Sequence, residues 1–247
     1  MQIMVPMATH SIFFPREEFY FPKPLVDVKG SPMIEWVVKN LSSYFDDPKF
    51  TFIINKEDSR LFSIGDALKI TLGDKVSIIE KNSETSGALS SAFLAIDSID
   101  HSLPLLISNC DQVFSCDVAK NIEEFELENA DAGVLTFNSV HPRWSYVVAS
   151  GNKVIQVFEK KVASNRAIAG LYYFRRAGDF FKYGKNPILN DSSLSSMFYL
   201  SSVLNEFILD DKSVLCTDIN SSDYHSFYAP SAIKNFEISC VEANDND

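Results

Sequence analysis

Three groups of residues in this 247-residue chain have types and spacings suited to chemistry. The first is Phe21-Pro-Lys-Pro-Leu25. Prolines fix the backbone on both sides of Lys23, so its ammonium is held on a stiff loop and can pair with a phosphate as a point charge. A rigid solvent-exposed turn is the plainer reading of the same residues. The second group is Asn109-Cys-Asp-Gln112, which directly follows the apolar run 103–108. If that run is a buried strand, Asp111 stands at its carboxyl end, where a carboxylate suits magnesium, which completes its shell with phosphate oxygens and water. Alternatively, Asp111 caps the next helix. The third group is Glu159-Lys-Lys161, then Ser164-Asn165, then Gly170. The charged pair closes a strand, and Asn165 with the Gly170 backbone can hydrogen-bond sugar hydroxyls, although a charged strand end by itself is commonly a solvated edge.

These groups need elements to hold them. Gln2 to Met7 reads as a short buried strand, and a proline- and aromatic-rich loop runs from Ala8 to Lys23. Ser31-Pro-Met-Ile-Glu35 has the signature of a helix start, with Ser31 as N-cap and Pro32 at the first helical position; Ile34, Val37, Val38 and Leu41 give that helix one apolar face. Further strands are expected at 49–55 and 75–80, with helices at 58–72 and 85–98 between and after them. Strands alternating with helices imply a mainly parallel α/β sheet, which binds ligands beyond the carboxyl ends of its strands. After Asp131 the pattern changes to strands at 132–137, 145–150, 153–160 and 170–174, with a corner at Gly151-Asn152 and helices at 178–183 and 194–209. One domain over residues 1–240 and an acidic, frayed tail over 241–247 is the simplest organisation.

The totals exclude several classes. A net charge of -11 argues against a nucleic-acid coat, and makes any nucleotide pocket a local positive island that a divalent cation would help to neutralise. Cys110, Cys116, Cys216 and Cys240 include no CxxC pair, so free thiols in a reducing compartment are expected rather than a zinc site or a disulfide framework. No basic stretch with a long apolar run opens the chain, and no run reaches the roughly 18 apolar residues of a membrane span. A cytoplasmic protein without a membrane or nucleic-acid partner is therefore expected.

In one order along the chain these pieces resemble the sugar-phosphate nucleotidyltransferases, or nucleotide-sugar pyrophosphorylases, over roughly residues 1 to 236. The most specific part is Phe21 to Leu41, similar to that family's PKPL-x-x-V-x-G-x-PMI-x-x-V segment. Thr85-Ser-Gly-Ala88 is similar to its nucleobase turn, and Asn109-Cys-Asp-Gln112 to its metal-binding segment. Phe158-Glu-Lys160, Ser164-Asn165-Arg-Ala167 and Gly170-Leu-Tyr-Tyr-Phe174 are similar to its sugar-pocket stretch. The resemblance implies a Rossmann-like, GT-A-like sheet flanked by helices, with extra antiparallel strands in the C-terminal half. It implies that a nucleoside triphosphate and a phosphorylated small-molecule acceptor give an activated conjugate and pyrophosphate with Mg2+, as in capsule, lipopolysaccharide or other surface-glycan synthesis. By the same analogy Ala8, Thr9, Ser11, Thr85, Gly87 and Ala88 line the nucleotide and Lys23 holds phosphate. Asp111 holds the metal, and Gln112, Glu159, Lys160, Asn165 and Gly170 line the acceptor.

Two departures stand out. The family's G-x-G-(T/S)-R loop is replaced by Met7-Ala-Thr-His-Ser-Ile-Phe-Phe14, in which Thr9 and Ser11 take the glycine positions and Phe13 that of the arginine. Glycines let backbone N–H groups wrap a triphosphate, and the guanidinium binds it in a fork. His10 and Arg16 are the nearby cations, with Arg16 the candidate to approach from a new direction. At the other end, the Asp that precedes the family's G-T-P segment is missing from Asp223-Tyr-His-Ser-Phe-Tyr-Ala-Pro230, and Asp223 or Asp218 would have to take its place as second metal ligand. A non-catalytic homologue that binds a ligand or partner, and a glycosyltransferase using an activated sugar, therefore stay open beside the transferase. So does self-association.

Overall fold

A computed structural model of the chain describes residues 1–9, 11–190 and 197–244. The first half lays down four parallel strands. These are β1 (Gln2–Pro6), β4 (Lys49–Asn55), β5 (Val76–Lys81) and β6 (Leu105–Ser108). β1 pairs with β4 on one side and β6 on the other, and β4 pairs with β5. Between β1 and β4 come a small ribbon, β2 (Asp27–Val28) with β3 (Ser31–Pro32), and helix α1 (Met33–Ser42). Then follow α2 (Lys56–Phe62), α3 (Ile64–Leu72), α4 (Ala88–Ala92), β7 (Gln112–Phe114) and α5 (Val118–Leu127).

The second half does not continue the parallel sheet. It comprises β8 (Ala132–Asn138), β9 (Tyr146–Ser150), β10 (Lys153–Phe158), β11 (Arg166–Phe174), α6 (Ala177–Asn190), α7 (Ser202–Leu209), β12 (Val214–Asp218), β13 (Tyr224–Ser226) and α8 (Pro230–Asn244). β11 runs antiparallel to both β6 and β8, while β12 is parallel to β8. The nine-stranded order is β5-β4-β1-β6-β11-β8-β12-β10-β9, and β9 also pairs with β11. The last five strands therefore close into a barrel-like ring. The antiparallel strands expected in the C-terminal half are present. The expected mainly parallel, Rossmann-like sheet is corrected to a mixed one, because β11 enters in the reverse direction and turns the remaining strands onto themselves.

Alternation along the strands builds a core on each face. Ile3, Val5, Phe50, Phe52 and Leu106 point to one side, where Ile34, Val37, Val38 and Leu41 of α1 and Phe125 of α5 meet them. Met4, Ile53, Leu105 and Ile107 point to the other, against Leu89, Phe180 and Phe207. A third cluster joins Phe14, Val28, Met33, Val113, Phe227, Ile233 and Phe236, fastening the loop after β1 to α8.

Local details depart from the sequence pattern for identifiable reasons. Ser31 does not cap α1, because Ser31–Pro32 is drawn into the ribbon and the Met33 amide donates instead to the Val26 carbonyl at 2.9 Å. The helix expected over 58–72 breaks at Ser63, which adopts a left-handed φ of 51° and ends α2. The helix expected over 85–98 is a short α4 followed by a 3-10 segment. Of the helix expected over 194–209, residues 194–196 lie outside the described residues and α7 begins at Ser202. β12, β13 and α8 carry no strong pattern in the sequence, and α8 extends through Asn244 into the stretch expected to be frayed.

Gly133 in β8 lies under α5, and a Cβ there would sit 2.4 Å from the Phe125 ring. Gly133→Ala should therefore lower unfolding free energy by about 1–3 kcal/mol, from overpacking. Urea denaturation checks this, and adding Phe125→Leu should recover part of the loss.

Candidate active site

Lys23 and Asp111, 88 residues apart in sequence, meet at the carboxyl edge of the parallel strands: Lys23 Nζ donates to Asp111 Oδ2 at 2.5 Å. Lys23 sits in a single 3-10 turn, Lys23–Leu25, with the buried Pro22 and Pro24 on either side. Asp111 lies between the end of β6 and the start of β7. Asn40 of α1 fixes β7 by bonding both the amide and the carbonyl of Phe114, at 2.9 and 2.8 Å. The helix that follows is capped by Asp117, whose side chain accepts from the Lys120 amide, so Asp111 has no capping duty. Both members of the pair are largely buried, with 16% and 14% of their side chains exposed. Burial alone would lower the Lys23 pKa, but the Asp111 charge and its hydrogen bond outweigh it, and the net shift is upward from 10.5. Lys23 is thus a cation throughout the neutral range. The adjacent Cys110 thiol is pushed up to about 12 by burial, with the Asp111 charge adding to it, so it is no thiolate nucleophile at neutral pH.

The floor beneath the pair is tightly specified. Gln112 is 1% exposed; its amide nitrogen donates to the Gly170 carbonyl at 2.9 Å, and its oxygen accepts from Tyr224 Oη at 3.2 Å. Gly170 adopts φ +65° at a register shift in β11, and a Cβ there would fall 2.2 Å from Asn109 Nδ2. Gln112 and Gly170, both expected to touch the acceptor, are thus joined to each other, with Gly170 packed close to Asn109.

The ribbon register sets Asp223, expected as a second metal ligand, apart from Asp111 along the chain. The Phe227 amide donates to the Asp111 carbonyl, whereas the Asp223 backbone carbonyl accepts from the Ser115 amide, four residues on from Asp111 and just past the end of β7. That is roughly 13 Å at about 3.3 Å per residue. Asp218 is held by Thr136 Oγ1 at 2.6 Å and by Arg166 at 2.8 Å. Among the described residues no group of three or more His, Cys, Asp or Glu could hold a metal. The donor set fits a magnesium ion only in the mode where one protein carboxylate, Asp111, is supplemented by substrate phosphates and water.

In the loop after β1, Ala8 is buried in the core, Thr9 is exposed, and Ser11 Oγ accepts from the Phe13 amide at 3.3 Å. Arg16 does not turn toward Asp111; it pairs with Asp58 and lies over the Phe62 ring. His10 lies outside the described residues.

The turn at Thr85 to Ala88 is also partly occupied by the chain itself. Gly87 has φ +104°, and a Cβ there would come within 2.5 Å of the Phe198 carbonyl; the Phe198 amide donates to Ser86 and its carbonyl accepts from Leu89. Thr85 Oγ1 bonds Ser91 Oγ at 2.6 Å. The glycine is thus required here by a close approach of Phe198. The same stretch reaches the other expected residues. Ser201 Oγ donates to the Glu159 carboxylate, as does Ser145 Oγ at 2.5 Å, and Lys160 Nζ donates to Tyr199 Oη at 2.9 Å. Asn165 lines a cavity of about 580 Å³ with Asn138, Arg166 and Asp218, a lining that does not include Glu159 or Lys160.

Residues 17–177 match the MobA-like NTP transferase domain family, which is more than half of the chain. The chain belongs to that family. It is a nucleotidyltransferase domain by this membership. No curated protein sequence matches it. Among solved structures it is similar to a nucleoside-diphosphate-sugar pyrophosphorylase from Vibrio cholerae RC9, at 22% identity and a TM-score of 0.83, over 95% of this chain and 99% of that one. A Bacillus anthracis chain assigned as a glucose-1-phosphate thymidylyltransferase, in complex with a sucrose, has 19% identity and a TM-score of 0.75 over 96% and 94%. An inositol-1-phosphate CTP transferase from T. maritima has 15% identity and a TM-score of 0.74 over 94% and 90%. Likeness at these identities shows a shared fold, and residue roles must come from the cleft itself.

Sequence reasoning missed several side chains of this NTP transferase that contact the expected residues. Ser145 and Ser201 donate to Glu159, Tyr199 accepts from Lys160, and Tyr224 donates to Gln112 beside Asp111. Arg143 stacks on Tyr228 and Trp144. None belongs to a short motif. Their only sequence signal is the density of aromatic and hydroxyl side chains in 141–146, 198–202 and 224–228.

The pair itself generates a pH expectation. In Asp111→Asn the opposing charge is gone and burial acts alone on Lys23, so its pKa should move from above 10.5 to below it. A 13C NMR titration of the lysine side chains reads this directly, and an unmoved Lys23 resonance would show that the contact is not formed in solution.

Proposed function

We propose that this NTP transferase couples a nucleoside triphosphate to a phosphorylated small molecule, a sugar phosphate foremost, and releases pyrophosphate. The observation that carries the reading is the Lys23–Asp111 contact at the carboxyl edge of the parallel strands, where open α/β sheets bind ligands. An oxygen of the acceptor phosphate attacks the α-phosphorus, a new P–O bond forms, and the bond to the bridging oxygen breaks with pyrophosphate as leaving group. Such transfers depend on placing the two anions and offsetting their charge. Lys23, cationic and held by buried prolines, exchanges its carboxylate for a phosphate oxygen when the triphosphate arrives. Asp111, released from Lys23, is the residue that would hold Mg2+, which when bound supplies charge neutralisation. Thr85, Gly87 and Ala88 border the base, with Phe198 as the wall behind Gly87. Glu159 and Lys160 receive the acceptor, and the hydroxyls of Ser145 and Ser201 orient the Glu159 carboxylate. We assign the product to surface-glycan synthesis in the cytoplasm, and residues 1–240 to one catalytic domain.

A second reading, a relative that binds without turnover, is favoured by one observation: the backbone of Phe198 already covers Gly87. Pyrophosphate release with Mg2+, across ATP, GTP, CTP, UTP and dTTP and a panel of phosphorylated sugars and other phosphorylated small molecules, decides between them. The transferase should respond to a particular pair, and Lys23→Ala and Asp111→Asn should each lower the rate by about 100- to 1,000-fold, as loss of a charge-stabilising group does. Silence across the panel from folded protein, with nucleotide still bound, would establish the binding-only relative.

A further inference from the structure

The loop between β8 and β9 carries an arginine that no motif assigns. The Arg143 guanidinium lies 3.3 Å from the centroid of the Tyr228 ring and 4.6 Å from that of Trp144. Its Nε is buried and is the one buried side-chain nitrogen or oxygen without a hydrogen-bond partner among the described residues. No carboxylate among the described residues forms an ion pair with it; Asp58, Asp111, Asp131 and Asp218 are each committed to another cation. An arginine has five donors, and a buried donor left unmade costs about 1–3 kcal/mol, which the aromatic stack only partly offsets.

Its position is the second observation. Two residues along the same loop, Ser145 donates to Glu159 at the acceptor end. Across the cleft, Tyr228 is the neighbour of Phe227, which bonds the Asp111 carbonyl. Phe13 packs edge-on against Tyr228 at 5.6 Å, and the next residue, Phe14, has Lys23 Nζ 5.8 Å from its ring. Tyr224 lies within reach of the charges of both Asp111 and Arg143. Arg143 therefore stands between the Glu159 end and the Lys23–Asp111 end. Arg16, the cation that sequence reasoning offered as a replacement for the missing loop arginine, is bound to Asp58.

We propose that Arg143 is a phosphate-binding residue of this cleft, a guanidinium supplied by the β8–β9 loop and held ready by Tyr228 and Trp144. The proposal rests on the transferase reading above. It deepens that reading by assigning the cation that replaces the glycine-rich loop's arginine. Two substrates offer the same phosphate chemistry, the monophosphate of the acceptor and the tail of the triphosphate, and the test separates them. The fork of Arg143 suits paired phosphate oxygens, whereas Lys23 serves as a point charge.

Trp144 supplies the readout, because it touches Arg143, while Trp36 lies in the third cluster against Phe236. Tryptophan emission is titrated with inorganic phosphate and, separately, with tripolyphosphate. Proteins compared are wild type, Arg143→Met, Arg143→Lys and Lys23→Ala. Methionine keeps an apolar stack on Tyr228 without the charge, so a purely structural arginine would leave affinity unchanged in that variant. Loss of one charge-assisted fork should weaken binding about 10- to 100-fold in Arg143→Met, with partial recovery in Arg143→Lys. A loss confined to phosphate assigns Arg143 to the acceptor, and a loss confined to tripolyphosphate assigns it to the nucleotide. Wild-type affinity for both probes in folded Arg143→Met overturns the proposal. If Lys23→Ala then still loses tripolyphosphate, the transferase reading survives without it. Failure of wild type to bind either probe overturns both.

Discussion

The cleft depends on an ion pair joining two parts of the chain that the sheet brings side by side. Lys23 comes from the loop after β1, Asp111 from the turn after β6, and β1 and β6 are hydrogen-bonded neighbours. A largely buried pair is a poor source of stability, because desolvating both charges consumes most of their attraction. Its consequence is constraint. Buried prolines fix Lys23, Asn40 of α1 fixes β7 behind Asp111, and Phe227 bonds the Asp111 carbonyl from the opposite strand. The α1 helix and the β7–β13 ribbon thus act on one carboxylate, which is the condition for binding two anions in a defined mutual orientation.

Against that constraint, the replaced glycine loop becomes intelligible as packing. Where glycines would open the backbone to phosphate, Phe14 inserts into a cluster with Phe227, Ile233 and Phe236, tying the loop to α8. Phe13 meets Tyr228, and Tyr228 carries Arg143. An aromatic framework thus occupies the place of a flexible cradle, and the positive charge enters from the β8–β9 loop. In a chain with a net charge of -11, Arg143 is then a cation without a carboxylate partner among the described residues, whereas Lys23 is paired with Asp111.

Much of the first half of the fold was legible in the sequence. The run 49–55 forms β4 over those residues, and the apolar spacing of Ile34, Val37, Val38 and Leu41 is the buried face of α1. Period and turn chemistry suffice there because each element is bounded by its own local signal. They failed where pairing decides the outcome. Ser31 reads as a cap until β2 claims it, and β13 has no signal beyond three residues that happen to lie opposite β7. The closure of the ring is a contact between Ala167 and Tyr146, which no local pattern announces. Lys23 and Asp111 stood out in the sequence because each sits in a short, distinctive motif, and the structure brings the two into contact. Arg143 did not stand out, since its setting is made by Tyr228, far along the chain, and the spacing of Asp223 from Asp111 is set by ribbon register, which no local pattern shows.

The most direct test of the account is a crystal structure with a non-hydrolysable nucleoside triphosphate analogue and Mn2+, located by its anomalous scattering. The manganese should lie on Asp111, with Lys23 turned from its carboxylate onto a phosphate oxygen and Asp223 without metal. A triphosphate seated instead in the 580 Å³ cavity beside Asn165 and Arg166, with the Lys23–Asp111 pair intact, would contradict it.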